Sequence, residues 1–487
     1  MKKRQFAGCI LAVLSFLFIL LFPEIGGLSA EGQRCLAVFV LVFFLYAFEV
    51  LNAAVVSLMI VPLLSVLHIV PVKDALSGFA STSTYLIVGA FFITAAMVKS
   101  RVGDRMAYHI LLLVGTGATQ ISFGIMCINV VLAFMIPSST ARTAMMIPIC
   151  LKIIDQYPGS EKTKFGANIM MTLCCTNSTI SAGILTSTIT NPMAVDYIEK
   201  VAGCTISYKQ WLLWGGIPAA ICTLLSWMLI QIIFRVKGGG TKIDASYIRK
   251  KLDELGKISL EEIRVLIILF AAVVMWFAGE DLSIDSTTVC LICACLLCIP
   301  KIGNLTWKDC KNNVSLSVMF VVSGGISLGT AMCATGTATW LAETIFNLFG
   351  LSHFSVNVLM IALIIIVQFM HVFFAGTATM ANVFFPVIAG IAMVSGASPV
   401  VLILISAFMI GGYPILMFFN TTPNILCYDT GYLKAGDFIK IGLCVSVAVC
   451  CLRLASILEG NLPDELWKQW ASNRRKQTAM EREQSLD

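Results

Sequence analysis

The sequence predicts an all-α polytopic membrane protein with about 11 transmembrane helices, arranged as two inverted repeats with re-entrant hairpins and broken helices. The first observation is the composition: 487 residues, 58% of them hydrophobic and only 12% charged, with a mean hydropathy of +0.90. Soluble domains carry about 25% charged residues, so an ordinary soluble protein is excluded. The other two observations are a long series of apolar segments and a set of motifs that recurs in both halves.

The apolar segments fix the order of the predicted spans. The first segment, residues 6–23, follows a basic start and has no clear small-residue cleavage site, so we expect a retained helix and not a removed signal peptide. The predicted organisation is an N-terminal helix, a first repeat, a cytoplasmic linker, a second repeat and a charged tail, at residues 1–30, 31–235, 236–262, 263–460 and 461–487.

Three motifs recur in the same order at a separation of about 235 residues, which predicts an internal duplication. The matching positions are Ala96 with Ala331, Thr140 with Thr377, and Thr188 with Thr421. One such match arises easily by chance, but three in the same order do not.

Loop charge predicts that the two copies are inverted. Residues 99–105 contain three basic side chains, whereas the matching residues 334–340 contain none. Conversely, residues 301–311 contain three lysines, whereas residues 69–82 contain Lys73 alone. Because basic loops stay in the cytoplasm, equivalent loops face opposite sides of the membrane. The same rule predicts a multi-pass protein of the cell (cytoplasmic) membrane, with its N-terminus in the cytoplasm and its C-terminus outside.

Each half contains two hydroxyl-rich breaks in its apolar segments. Residues 137–143 and 375–379 lie between arms that look too short to span comfortably, which predicts two re-entrant hairpins. Residues 186–192 and 420–424 interrupt what would otherwise be spanning helices. Backbone groups freed at such breaks must be buried in protein or line a wet cavity. Four breaks would supply N–H donors and positive helix ends, which suit carboxylates and other oxyanions. The alternative is that these Ser and Thr side chains only pack or hydrogen-bond between helices.

Two motifs resemble the signatures of the divalent anion:sodium symporter family over essentially the whole chain. The motif Pro137-Ser138-Ser139-Thr140-Ala141-Arg142 resembles that family's Ser-Asn-Thr signature. The motif Asn420-Thr421-Thr422-Pro423-Asn424, followed by Gly431-Tyr432-Leu433-Lys434 and Asp437, is similar to its second signature. The resemblance implies a homodimeric elevator-type transporter for dicarboxylates, tricarboxylates or sulfate, held in the lipid bilayer.

The resemblance and the breaks together place the substrate site at the hairpin tips and helix interruptions. The candidate substrate-binding residues are Ser138, Ser139, Thr140, Arg142, Thr188, Asn191, Ala375, Gly376, Thr377, Thr379, Thr421, Thr422, Pro423 and Asn424. The candidate sodium ligands are Ser138, Ser139 and Thr377. Ser139 replaces the family's Asn, and the second tip lacks both the Ser and the Asn. Since sodium prefers a cage of oxygens, each lost side-chain oxygen weakens the case for it.

Arg142 favours anion exchange over sodium coupling. Its Thr-Ala-Arg context resembles the family's citrate/succinate and tartrate/succinate antiporters and the plastid 2-oxoglutarate/malate translocators. A buried Arg is costly unless an anion or cavity water accompanies it, and its planar fork suits a carboxylate. The alternatives are a sodium- or proton-coupled symporter for the same substrates and an Arg142 side chain that extends to the cytoplasmic interface beside Lys152.

The remaining features predict no enzyme. The sequence has four histidines, lacks a Gly-rich phosphate loop and offers no evident nucleophile-base pair. His371 is interpreted as a neutral core histidine, with a proton-linked switch as the alternative. We expect no cofactor other than a candidate sodium ion, no nucleic-acid partner, and pocket walls that include Met417, Phe418 and Phe419. A channel is the alternative from another functional class.

Overall fold

The computed structural model describes residues 3–157, 162–236, 243–282, 284–350, 355–374 and 376–458, and the regular structure in these ranges is entirely helical. Nine of the described helices are long and apolar enough to cross a membrane, and three shorter apolar helices accompany them. The predicted all-α polytopic architecture is therefore confirmed. The number of crossings, about 11, stays a prediction, because length and composition alone do not separate spans from hairpin arms.

The helices of the first half run in the following order. They are α1 Lys3–Leu21, α2 Ala30–Ala47, α3 Ala53–Val66, α4 Val72–Ala75, α5 Thr82–Ser100, α6 Val102–Val114, α7 Ala118–Met135, α8 Ser139–Asp155, α9 Lys162–Ser181, α10 Thr190–Ala202, α11 Tyr208–Trp211 and α12 Ile217–Ile233. A π-helical turn, Leu212–Gly216, joins α11 and α12 into one continuous helix.

The helices of the second half follow the linker helix α13, Ala245–Glu254. They are α14 Leu260–Leu282, α15 Ser286–Cys298, α16 Trp307–Asn313, α17 Leu316–Ala334, α18 Thr337–Phe349, α19 Val356–Met370, α20 Thr377–Ser395, α21 Pro399–Gly412, α22 Thr422–Tyr428 and α23 Ala435–Leu458. Short 3₁₀ turns lie at Ser77–Ala80, Leu185–Ser187 and His371–Phe373.

Helix lengths repeat between the halves. Helices α5 and α17 each have 19 residues, and α6 and α18 each have 13. Each 13-residue helix is preceded by a residue with a left-handed backbone conformation: Arg101 with φ 59° before α6 and Gly336 with φ 72° before α18. These two residues are 235 positions apart (336 − 101), so the same sharp turn recurs at matching places in the chain.

Helices α6 and α18 are not continuous apolar segments. Both are amphipathic: in α6, Ala107 and Leu111 are buried while His109 and Leu113 are exposed. A search for uninterrupted apolar runs cannot find such a helix, because its apolar positions recur every three to four residues.

The prediction that the hairpin arms are short was wrong for three of the four. Helix α7 has 18 residues, α19 with the 3₁₀ turn that follows it has 18 (Val356–Phe373), and α20 has 19, and all three are long and apolar enough to span. For α20 the reason is that Thr377 and Thr379, which the sequence assigned to the break, belong to the first turn of the helix. In the same way, Ser139 and Thr140 belong to the first turn of α8. Only residues 136–138 separate α7 from α8.

Helices α9 and α21 form the centre of the molecule. Every residue from 165 to 181 in α9 is buried, as is every residue of α21. Helix α9 packs against α7, α8 and α12, and α21 packs against α10, α19 and α20. Each of these two central helices ends at an interruption, which places both interruptions inside the protein.

Candidate functional site

The four predicted breaks surround one cavity of about 390 Å³. Each hairpin tip and each helix interruption contributes to its wall. The lining residues from the breaks and adjoining helices are Pro137, Ser138, Ser139, Thr140, Ser178, Thr188, Ile189, Gly376, Thr377, Ala378, Thr379, Gly411, Thr421, Thr422 and Pro423. The remaining wall comes from the turn between α2 and α3 and from the start of α17.

A second cavity of about 300 Å³ adjoins the first. The two share much of their lining, including Pro137, Ser138, Thr140, Thr188 and Thr422. Because the shared residues lie at the hairpin tip and the interruptions, the two cavities adjoin at the breaks.

The first hairpin tip is organised by its N-cap. Ser138 has an extended backbone, and its Oγ accepts a hydrogen bond from the Ala141 N–H at 3.2 Å. The first N–H groups of a helix have no intrahelical partner and carry partial positive charge. The start of α8 therefore brings N–H donors and the hydroxyls of Ser139 and Thr140 to the cavity wall.

Arg142 lies directly behind this tip and is completely buried. Its guanidinium group donates to the Asn177 Oδ1 at 2.7 Å and the Ser181 Oγ at 2.5 Å. It also donates to the Ile136 carbonyl at 2.6 Å and the Ser187 carbonyl at 3.4 Å. The guanidinium therefore ties the hairpin tip to the interruption between α9 and α10.

The alternative of an interfacial Arg142 is wrong, because no part of this side chain is exposed. Within the ranges that the structure covers, Arg142 has no carboxylate partner, since all four of its hydrogen bonds end on neutral oxygens. A fixed positive charge is thus buried next to residues that line the cavity.

Asn177 holds Arg142 in place. Its Oδ1 accepts from the Arg142 Nε, while its Nδ2 donates to the Ser139 carbonyl and to the Thr143 Oγ1, both at 2.7 Å. The side chain thus joins α9 to the first turn of α8. Residues 176–181, Thr-Asn-Ser-Thr-Ile-Ser, form a polar run inside a buried helix, and this run is the signal that could have identified Asn177 from the sequence.

The second hairpin tip is closed by a neutral side chain. The Nδ2 of Asn420 donates to the His371 carbonyl and to the Phe374 carbonyl, the latter at 3.3 Å. Its Oδ1 accepts from the Met417 N–H at 2.6 Å. The ring of His371 is buried, with its nitrogens facing the carbonyls of Gln368 at 3.1 Å and Ile410 at 3.3 Å.

The two helix interruptions are built by matching asparagines. The Nδ2 groups of Asn191 and Asn424 each donate to two carbonyls in the turn that precedes the helix. The acceptors are Ser181 and Ile184, both at 2.9 Å, in the first half, and Pro414 and Met417, at 2.8 and 3.2 Å, in the second. Both the asparagines and their acceptors are 233 residues apart (424 − 191, 414 − 181 and 417 − 184). This correspondence of individual hydrogen bonds supports the predicted duplication.

Gly411 allows a helix of the second half to lie close to a helix of the first half. A Cβ at this position would collide with the Thr190 Oγ1 and come within 3.3 Å of the Asn191 Oδ1. The absence of a side chain therefore lets the end of α21 approach the start of α10 beside the cavity.

The predicted site residues fall into three groups. Most line the cavity: Ser138, Ser139, Thr140, Thr188, Gly376, Thr377, Thr379, Thr421, Thr422 and Pro423. Arg142, Asn191 and Asn424 lie behind that lining as supports, and Ala375 lies outside the described residues. Met417, Phe418 and Phe419 line neither cavity; the Phe418 ring stacks on Tyr428 with centroids 4.3 Å apart.

The sequence reasoning missed the rest of the cavity wall. That part contains Tyr46 from the end of α2, Glu49 and Asn52 from the turn between α2 and α3, and Ser317 from α17. Tyr46, Glu49 and Asn52 are at least 85 positions from the nearest break (137 − 52 = 85), and Ser317 is 58 positions from it (375 − 317 = 58), so only the fold brings these residues to the site.

Interrupted helices from two related halves that meet around a polar cavity define the class of secondary transporters. Sequence comparison agrees with the geometry. The chain belongs to the family described as the sodium:sulfate symporter transmembrane region, which matches residues 3–459.

Individual relatives cover most of the chain. A sodium-dependent dicarboxylate transporter, SdcS, of Staphylococcus saprophyticus is 26% identical and covers 91% of this chain and 89% of its own length. A citrate/succinate antiporter of Escherichia coli K12 is 24% identical and covers 76% of each chain. The crystal structure of the Alcanivorax borkumensis YdaH transporter matches with a TM-score of 0.55 at 12% identity, over 80% of this chain and 87% of that one, which shows a shared fold alone.

Proposed function

We propose that this protein is a secondary active transporter that exchanges small dicarboxylates or tricarboxylates, of the C4-dicarboxylate, citrate or 2-oxoglutarate type, across the cell membrane. The single observation that carries the proposal is the buried Arg142, which has four hydrogen bonds to neutral oxygens and no carboxylate partner in the described ranges. The names of the relatives, which include antiporters and a sodium-dependent transporter, support the substrate class.

The cavity suits a small anion with two carboxylates. Its volume of about 390 Å³ lies in the range of small-molecule sites. Donors come from both hairpin tips: the start of α8 with Ser139 and Thr140, and the start of α20 with Thr377 and Thr379. Helix N-termini stabilise negative charge, and hydrogen bonds to a charged group contribute about 1.5 to 3 kcal/mol each. Each of the two tips would hold one carboxylate.

The fixed cation gives a reason for exchange. If the site crosses the membrane empty, the charge of Arg142 crosses without an anion nearby, and an intramembrane cation of this kind costs about 3 to 10 kcal/mol. A bound dianion compensates that charge, so the loaded carrier meets a lower barrier. Return of the carrier with another anion is therefore favoured over return of the empty carrier.

The oxygens around Arg142 already accept hydrogen bonds, which leaves few ligands for a sodium ion at the first tip. A sodium ion needs several oxygen ligands. The oxygens of Ile136, Asn177, Ser181 and Ser187 already accept hydrogen bonds from the guanidinium. The observation that favours the alternative, a sodium-coupled symporter, lies elsewhere: the Oδ1 atoms of Asn191 and Asn424 are buried and have no hydrogen-bond partner in the described ranges. The candidate ligands Ser138, Ser139 and Thr377 belong to this alternative.

The proposal includes the inferred assembly and topology. The resemblance supports a homodimer with elevator-type movement, and the loop charges support a cytoplasmic N-terminus and an external C-terminus. Cross-linking in membranes and accessibility of single cysteines introduced at Arg101 and Arg264 test these points, since both positions are expected in the cytoplasm.

Counterflow in proteoliposomes tests the exchange mechanism. Purified protein is reconstituted with or without internal succinate, and uptake of labelled succinate is measured with sodium or choline outside. We expect uptake that requires internal anion and is unchanged by choline. Sodium-driven uptake into empty vesicles would contradict exchange and establish the symporter. A thermal-shift panel of citrate, succinate, malate, tartrate, 2-oxoglutarate and sulfate identifies the preferred anion, because a ligand that binds only the folded state raises the unfolding temperature.

A further inference from the structure

One charged side chain lines the two adjoining cavities, and it is acidic. Among the described residues that line the two cavities, Glu49 is the only Asp, Glu, Lys or Arg. It lies in the turn between α2 and α3, far from the hairpin tips along the chain, and it lines the same cavity as residues of both tips. A carboxylate at this place is unexpected in a cavity otherwise rich in hydroxyls and N–H donors.

The backbone of the turn fixes Glu49. Its φ of 50° lies in the left-handed region, which is uncommon for residues other than glycine. Its N–H donates to the Tyr46 carbonyl at 3.1 Å, and its carbonyl accepts from the Gln5 Nε2 at 3.0 Å. The side chain is exposed, and within the described ranges its carboxylate makes neither an ion pair nor a hydrogen bond. The negative charge at the cavity wall is thus not neutralised by a neighbour.

An unpaired carboxylate beside an anion site discriminates by charge. It repels every negative charge of the bound molecule, whereas the hydroxyls and N–H groups of the tips are satisfied by two carboxylates. A third carboxylate adds repulsion without a matching donor. Across a partly solvated site, each added unit charge corresponds to about a three- to tenfold change in Kd. Selectivity of this kind comes from a repulsive element and not from added contacts.

We propose that Glu49 is a specificity-determining residue that favours dianions over trianions of the same carbon skeleton. The inference rests on the proposed function, since it concerns which carboxylates the same cavity prefers. Glutarate and tricarballylate form a matched pair of probes, because they share a five-carbon backbone and differ by one carboxylate.

The experiment measures Kd for glutarate and for tricarballylate on the purified full-length chain. The variants are Glu49→Gln, Glu49→Lys and the control Glu24→Gln, since Glu24 is exposed and lines neither cavity. We expect Glu49→Gln to lower the ratio of tricarballylate Kd to glutarate Kd about three- to tenfold. Glu49→Lys should lower it further, and Glu24→Gln should leave it unchanged.

Three results overturn the inference: an unchanged ratio in both Glu49 variants, a loss of both ligands by the same factor, or an equal shift in the Glu24 control. These results differ from failure of the proposed function, in which neither anion binds the unmodified protein. If Glu49→Gln does not fold, the ratio measured in Glu49→Asp, which keeps the charge, must stay near that of the unmodified chain.

Discussion

The two hairpin tips are closed by side chains of different charge. At the first tip, the guanidinium of Arg142 donates to the Ile136 carbonyl at 2.6 Å. At the second, the neutral amide of Asn420 donates to the Phe374 carbonyl at 3.3 Å. Ile136 and Phe374 are each the first residue of their hairpin connection and are 238 residues apart (374 − 136), as are the starts of α8 and α20 (377 − 139).

Closing a hairpin tip therefore does not require a charged side chain. Either donor can satisfy carbonyls that the hairpin leaves without helical partners. Only the first tip adds a permanent positive charge next to the cavity. Under the proposed exchange mechanism, this charge would compensate a bound anion.

Replacing Arg142 gives the largest expected effect and tests the comparison directly. Arg142→Gln substitutes a neutral amide, as at the second tip, and removes the charge. We expect succinate counterflow to fall at least about 100-fold, together with a loss of about 3 to 5 kcal/mol in stability, because several buried acceptors lose their donor. Counterflow rates and thermal unfolding of the purified protein measure the two effects.

Arg142→Lys is the matched control for charge. It keeps the positive charge but loses the planar fork that reaches several acceptors at once. We expect measurable exchange, at roughly a tenth of the original rate, with a stability loss similar to that of the Gln variant. If the Gln variant transports as well as the Lys variant, the charge has no role in exchange and the comparison fails.

Replacing Asn420 is expected to have the next largest effect. The effect should fall on stability, because a neutral amide does not compensate the charge of a bound anion. Asn420→Ala removes the donor to the His371 and Phe374 carbonyls in a site that is 1% exposed. We expect a loss of about 1 to 3 kcal/mol, since buried acceptors are left unsatisfied. Asn420→Asp should destabilise at least as much, because it replaces the donor by a second acceptor.

The control for Asn420 is Asn313→Ala. The Nδ2 of Asn313 donates to the Asp309 carbonyl at 2.8 Å on an exposed surface, so its loss should change stability by less than about 0.5 kcal/mol. Thermal unfolding of the three variants side by side provides the measurement. Equal effects at Asn420 and Asn313 would show that the second tip does not depend on its amide.

The duplication and the breaks could be predicted from the sequence because they leave local signals. Thr188 and Asn191 match Thr421 and Asn424 in residue type and spacing, and the structure assigns equivalent hydrogen bonds to the two asparagines. Arg142 was recognisable as a charge inside an apolar segment. Its position as a support behind the cavity lining was not, because the direction of a side chain depends on the packing of α8 against α9.

Other features have no local signal. Helices α6 and α18 have apolar positions every three to four residues with polar residues between them, so their apolar runs are too short to be recognised as spans. Glu49 reads as an ordinary charge in a turn, and only the approach of the α2–α3 turn to the hairpin tips places it at the cavity. Long-range contacts of this kind are a property of the tertiary fold and cannot be derived from spacing along the chain.

The smallest expected effect concerns the hydroxyls that face the cavity at each tip. Thr140→Val and Thr377→Val keep the side-chain shape and remove one hydroxyl from the first and second tip, respectively. If the two tips each hold one carboxylate, both variants should weaken succinate binding by a similar factor, about 10- to 20-fold, which corresponds to about 1.5 kcal/mol, the lower end of the range for one hydrogen bond to a charged group. Isothermal titration on the two variants provides the measurement, with Thr344→Val, an exposed position whose hydroxyl bonds its own helix at the Trp340 carbonyl, as the control. A large effect at Thr140 with none at Thr377 would mean that the charged tip alone binds the substrate, and the second hairpin would then be a gate that closes over it.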